Sequence, residues 1–184
     1  MNYFFTSDTH FNHANIAGPK CSTWSSGYRN FDSVQEMNET LIKNWNDKVK
    51  KDDVVYHLGD VGFATAELLR PILLRLNGHK YLCIGNHEKA ALGNRDQFLQ
   101  ITDVRFAKVG NQLIWLSHYA HRVWDRSHHG VWHLYGHSHG SLPDDPNSMS
   151  FDVGVDCHNY SPLSFDEVAA IMTKKTFKPI DHHA

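Results

Sequence analysis

Short β-type runs recur along the chain, and each ends on polar residues able to bind a metal. The first, Tyr3-Phe4-Phe5-Thr6-Ser7, leads into Asp8-Thr9-His10. Val54-Val55-Tyr56-His57-Leu58 leads into Gly59-Asp60, and Lys80-Tyr81-Leu82-Cys83-Ile84 leads into Gly85-Asn86-His87-Glu88. Gln112-Leu113-Ile114-Trp115-Leu116 ends at Ser117-His118, and Val131-Trp132-His133-Leu134-Tyr135 ends at Gly136-His137-Ser138-His139. Runs of this length, rich in β-branched and aromatic residues, predict strands.

Between the first two runs, Val34, Met37, Leu41 and Trp45 fall on one helical face. That spacing predicts a helix from Ser33 to Lys48, capped by Asp32 or Ser33, with Glu36 completing a capping box. Thr65 to Leu76 also reads as helical; Pro71 lacks an amide donor and should kink it or mark a restart, and Asn77-Gly78 supplies the stop. Val104 to Val109 and Gln112 to Leu116, joined at Gly110-Asn111, predict a hairpin. After the loop Gly140 to Ser150, Phe151 to Asp156 reads as a further strand, and Ser164 to Glu167 as the capping box of a last helix carrying Val168, Ile171 and Met172. Strands alternating with helices, then a run of strands, predict a layered α/β sandwich with a mixed sheet. No repeat or linker-like segment divides the chain, so residues 1–184 are expected to form a single domain.

Composition narrows the function classes. At 41% hydrophobic, 12% aromatic and 21% charged, the chain is neither collagen-like nor disordered nor a coiled coil. Its 18 Lys+Arg against 20 Asp+Glu leave a formal charge of -2, which argues against the broad basic face that grips duplex nucleic acid. A small local basic pocket remains open. Three scattered cysteines, Cys21, Cys83 and Cys157, suggest neither a disulfide framework nor a thiolate zinc site. There is no secretory leader pattern at Met1-Asn2-Tyr3 and no apolar stretch of about 18 residues, so a cytoplasmic protein without a membrane partner is expected. The count that stands out is 15 histidines, which directs attention to metal chemistry.

In open α/β sheets the carboxyl ends of the strands form the natural crevice for ligands, so residues far apart in sequence can converge there. The candidates are Asp8, His10, Asp60, Asn86, His118, His137 and His139, all oxygen or imidazole donors. Such donors suit Mn²⁺, first among the candidates, as well as Zn²⁺, Fe or Ni²⁺. This donor set is too large for one catalytic ion that must keep an open position, whereas two ions sharing a carboxylate fit. The two carboxylates do not cancel the charge of two divalent ions. The surplus attracts a phosphate anion and stabilises charge growing on its oxygens, which favours phosphoester hydrolysis over redox chemistry.

In this order, Asp8-Thr9-His10, Gly59-Asp60, Gly85-Asn86-His87-Glu88, His118 and Gly136-His137-Ser138-His139 resemble the five motifs of the calcineurin-like metallophosphoesterase family. The stretches from Phe5 to His13 and from Asp152 to Asp156 further resemble its small stand-alone bacterial and phage members. The resemblance implies a four-layer α/β/β/α sandwich with mixed β-sheets. It also implies that Asp8, His10 and His139 hold one ion, that Asn86, His118 and His137 hold the other, and that Asp60 bridges both. The implied reaction is in-line attack on phosphorus by a metal-bridging hydroxide, with His87 protonating the leaving oxygen or stabilising the transition state. Glu88, where the family often has Asp, would orient the histidine or a ligand. The expected substrate is a small phosphoester, a phosphodiester before a phosphomonoester, with nucleotides among the candidates. Arginines that follow the corresponding motifs in protein Ser/Thr phosphatases are absent from Gly59-Asp60-Val61-Gly62 and from Gly85-Asn86-His87-Glu88. The alternatives are a non-catalytic metal-binding scaffold on the same fold, or a nuclease.

Other residues divide between site and scaffold. His13 is a candidate for the substrate pocket, with a surface or supporting role as the alternative, and Arg122 is a candidate phosphate contact. Tyr119 to Gly130 suggests a mobile loop that meets the non-reacting part of the substrate. Trp24, Tyr28 and Arg29 can stack on a nucleobase or pack as a lid. His57 and His133, inside apolar runs, are expected to be satisfied core residues, and His182 and His183 to be solvated or a tag remnant.

Overall fold

Alternation of side chains along two sets of strands builds two separate apolar cores. The computed structural model describes residues 1–23 and 29–180; Trp24, Tyr28, His182 and His183 lie outside the described residues. In the first sheet, β1 (Tyr3–Thr6), β2 (Val54–His57), β3 (His79–Cys83) and β4 (Gln100–Thr102) run parallel, and β9 (Leu163–Ser164) pairs antiparallel with β1. The order is β4-β3-β2-β1-β9. The second sheet has the order β5-β6-β7-β8, from β5 (Val104–Val109), β6 (Gln112–Ser117), β7 (Trp132–Tyr135) and β8 (Ser150–Asp152). Here β5 and β6 form the expected hairpin, with Val109 opposite Gln112, and the remaining pairs are parallel.

Successive strand residues face opposite ways, so one face of the first sheet packs on helices and the other on the second sheet. Phe4, Val55 and Leu82 meet Met37, Leu41 and Trp45 of α2 (Val34–Lys48) and Leu69 and Leu73 of α3 (Ala66–Arg75). Phe5, Tyr56 and Cys83 face Ile114, Leu116, Leu134 and Phe151, and α5 (Phe165–Met172) adds Val168 and Met172. On the far side of the second sheet, the 119–131 segment packs buried Trp124 against His133, with ring centroids 5.2 Å apart. A 3-10 turn, Ser127–His129, belongs to this outer layer. The short helices α1 (Ala14–Ala17) and α4 (Lys89–Leu92) follow the first and third strand tips.

Local rules account for most boundaries. The Ser33 hydroxyl accepts from the Glu36 amide, while the Glu36 carboxylate accepts from Asp32 N–H, so both candidate capping residues take part. Ser164 and Glu167 form the full capping box at α5. Two expectations change. The α3 helix continues through Pro71 without restarting, its packed face of Leu69, Ile72 and Leu73 outweighing one missing hydrogen bond. The strand expected over Phe151 to Asp156 ends at Asp152, because the Asp152 carboxylate accepts from Gly154 N–H at 2.7 Å and turns the chain into a 3-10 turn, Val155–Cys157. The short strands β4 and β9 carry too few residues for a legible alternation. Among the described residues no helix is long and apolar enough to cross a membrane.

Candidate metal centre

All seven sequence-predicted donors sit just beyond the ends of β1, β2, β3, β6 and β7. Five of them, Asp8 (φ 56°), His10 (φ 48°), Asp60 (φ 58°), His137 (φ 69°) and His139 (φ 48°), occupy left-handed backbone. L-residues avoid this region at a cost of roughly 1–3 kcal/mol each, and such strain concentrates at functional sites. The backbone turns sharply at each strand end and throws the side chain into the crevice. The adjoining glycines leave room: a Cβ at Gly136 would collide with Ser7 and Asp8, and one at Gly85 with Asp60.

Two clusters result. Asp8, His10 and His139 offer ligand atoms within 4.8 Å of one another, as do Asp60, His118 and His137. Asn86 joins the second, its Oδ1 lying 2.9 Å from His118 Nε2 and 3.0 Å from His137 Nδ1. Asp60 Oδ2 stands 3.5 Å from His10 Nε2 and 3.7 Å from His118 Nε2, and so faces both clusters. The other Asp60 oxygen accepts the His87 amide at 2.8 Å.

The electrostatics of the clusters are those of a site built around cations. Asp8 is fully buried, and its Oδ1, like His10 Nε2, has no hydrogen-bond partner. Burial pushes the Asp8 carboxyl up to about 7, against opposing contributions from His139 and Ser7. Desolvation also holds His10 and His118 below the ordinary imidazole value. His139 is raised, since its hydrogen bond to Asp156 and the charge of Asp8 outweigh its own desolvation. A buried carboxylate oxygen and a buried imidazole nitrogen without partners, Asp8 Oδ1 and His10 Nε2, are costly on their own and are the donors a divalent ion takes. The residues therefore fit the group that the motifs imply.

The pocket over these donors, of about 400 Å³, is lined by His10, His13, Asp60, Asn86, His87, His137 and His139. His13 lies at its rim, its ring stacked on exposed Phe63 at 4.0 Å and its Nδ1 3.3 Å from that of His10. His87 is exposed and meets Phe63 edge-on. Glu88 is buried away from the His87 ring; it accepts from the amides of Asp60, Val61 and Gly85 at 2.8–3.1 Å. It thereby ties two strand tips together through the backbone. Arg122 does not line this pocket. It borders a separate cavity of about 670 Å³ with His121, Trp124, Tyr135 and Leu142.

The Tyr119 to Gly130 stretch is anchored at several points: Trp124 donates to Val131 O, Trp115 donates to His121 Nδ1, and the His121 amide donates to His133 Nε2. His57 is a satisfied core residue as expected, pairing with Thr9 Oγ1 and the Gly59 amide, and burial pushes its imidazole down to about 3. His133 is likewise buried and pushed down to about 3.

Tyr119 was expected only as the first residue of a substrate-facing loop; its ring packs on His137 at 4.6 Å and its hydroxyl lies 3.5 Å from Asn86 Oδ1, against the donors themselves. Its position directly after His118 was the available signal. Sequence reasoning gave no role to Asp156, hydrogen-bonded to His139, although the Asp152 to Asp156 stretch was visible.

Comparison with known proteins adds an independent line. The family model for calcineurin-like phosphoesterases matches residues 1–159. An uncharacterized protein of Methanocaldococcus jannaschii is 34% identical over 178 residues, covering 93% of this chain and 91% of its own. The gene 66 protein of Mycobacterium phage D29 is 27% identical, covering 91% of this chain and 94% of its own. Among solved structures, a protein of unknown function from Aquifex aeolicus superimposes with a TM-score of 0.65 at 23% identity, covering 92% of this chain and 98% of its own. An archaeal phosphodiesterase superimposes with a TM-score of 0.50 at 20% identity, covering 84% of each chain. Both share the fold.

Proposed function

Since the chain belongs to the calcineurin-like phosphoesterase family, we propose that it is a phosphoester hydrolase dependent on two divalent cations, acting on a small phosphodiester before a monoester. The observation that carries this reading is the pair of donor clusters with one Asp60 oxygen facing both. Asp8, His10 and His139 would hold one cation, Asn86, His118 and His137 the other, and Asp60 both. When bound, such ions supply Lewis acidity toward a phosphate group and acidify water. Mn²⁺ is the first candidate.

The chain's own groups do the rest. Glu88 and the left-handed turns hold Asp60 and Asn86 in place before substrate arrives, so little reorganisation is needed during reaction. His87 stands at the pocket wall, with its backbone fixed on Asp60, where an imidazole can hand a proton to a leaving oxygen. His13 and Phe63 at the rim narrow the approach and offer an apolar surface to the substrate's organic part.

The test is hydrolysis of bis-p-nitrophenyl phosphate with Mn²⁺ by wild type, His87→Ala and Asp60→Asn. Metal-dependent turnover lost in both variants supports the proposal. Metal uptake with no turnover on any of a panel of mono-, di- and cyclic phosphoesters would favour the non-catalytic scaffold.

A further inference from the structure

We propose that Arg29 and Asp156 form a positioning pair dedicated to the cation subsite of Asp8, His10 and His139. The inference rests on the metal-dependent reading above and deepens it. Neither residue lines the donor pocket, yet Arg29 is buried, at 3% exposed, and the Asp156 side chain is 6% exposed.

Asp156 Oδ2 lies 2.7 Å from His139 Nδ1. A carboxylate gripped by a guanidinium can only accept, so Nδ1 of His139 carries a proton, which leaves Nε2 as the ring atom that can be offered to a cation. That Nε2 stands 3.9 Å from Asp8 Oδ1. Arg29, 127 residues away in sequence, grips the same carboxylate through Nε at 2.8 Å and Nη2 at 3.0 Å. Its guanidinium also donates to the main-chain oxygens of Asp8, at 2.6 Å, and Thr9, at 3.0 Å. One guanidinium thus fixes both the carboxylate that orients His139 and the left-handed turn that carries Asp8 and His10.

The geometry requires a planar fork, which lysine cannot supply. A buried ion pair of this kind contributes little to stability by itself, and its value lies in placement. The other cluster lacks an equivalent among the described residues: His118 Nδ1 faces a neutral carbonyl, Leu58 O, at 2.8 Å. The pair therefore acts on one subsite of the two.

The experiment is calorimetric titration of the chelator-stripped full chain with Mn²⁺, on wild type, Asp156→Asn and Arg29→Lys, together with thermal melting in EDTA and Mn²⁺ EPR. Arg29→Lys keeps the buried charge and guards against a simple folding defect. The expected result is two equivalents in wild type, and in each variant one equivalent weakened about 10- to 100-fold with the other unchanged. The exchange-coupled dimanganese signal should give way to a mononuclear one at the same Mn²⁺ concentration. Wild-type affinity for both equivalents in both variants overturns the proposal. So does equal weakening of both equivalents accompanied by a lower melting temperature in EDTA, which is the mark of a structural role. A wild-type protein that takes up no Mn²⁺ overturns the metal-dependent function itself, and the pair with it.

Discussion

Replacing Asp8 by Asn should stabilise the chelated protein while removing its response to metal. Asp8 is fully buried, one of its oxygens has no partner, and desolvation pushes its carboxyl from 3.8 up to about 7. Between these values the unfolded chain has released the proton and the folded chain still holds it. Stability therefore falls as pH rises from about 4 to 7, and the whole penalty is present above 7. Roughly three pH units at about 1.4 kcal/mol each amount to about 4 kcal/mol, a large share of the 5–15 kcal/mol typical of a domain. Asparagine keeps an oxygen for the His137 amide, now 2.9 Å from Asp8 Oδ2, and carries no charge.

The assay is urea unfolding in EDTA, followed by tryptophan fluorescence from pH 5 to 8. Asp8→Asn should be more stable than wild type by a few kcal/mol at pH 8, with the gap closing toward pH 5. Added Mn²⁺ should close the gap, since ligand at about a thousand times its Kd stabilises wild type by about 4.1 kcal/mol, the size of the penalty. A variant less stable than wild type at pH 8 in EDTA, or a gap that widens on acidification, is incompatible with a carboxylate penalised by burial at position 8.

Other expectations follow from the same structure. His57 and His133 are both pushed down to about 3; below pH 6.5 the unfolded chain takes up protons that the folded chain refuses, so each costs about 1.4 kcal/mol per pH unit. Urea unfolding of chelated Asp8→Asn at pH 5 and pH 7 checks this, and equal stability at both values would contradict it. His87→Ala should lower turnover about 10²- to 10⁴-fold while Mn²⁺ stoichiometry by calorimetry stays at the wild-type value. Gly136→Ala places a methyl group against Ser7 and Asp8, so it should abolish tight metal uptake, as read by elemental analysis after dialysis. Glu88→Gln leaves one oxygen to serve three backbone amides now shared by two; a loss of about 1–3 kcal/mol in chemical denaturation is expected, and an unchanged midpoint would show that the brace is dispensable.

Periodicity and residue type made the five strand runs and the two capped helices, α2 and α5, legible, because each depends on neighbours within a few positions. The seven donors were legible for a related reason: strand ends mark where an α/β sheet presents its ligands, and each donor sits directly after one. Tertiary packing decided the rest. It carried α3 through Pro71, whereas β8 was ended at Asp152 by a carboxylate hydrogen bond only two residues long, which the apolar alternation of the stretch hides. It also set Arg122 beside another cavity, and it turned Glu88 toward backbone amides rather than the His87 ring. The Arg29–Asp156 pair is the clearest case, since a contact spanning 127 residues leaves no local pattern in the chain. Short-range preferences place an element and its tip, but the direction of a buried polar group is chosen by whichever partner the folded chain brings within hydrogen-bond reach.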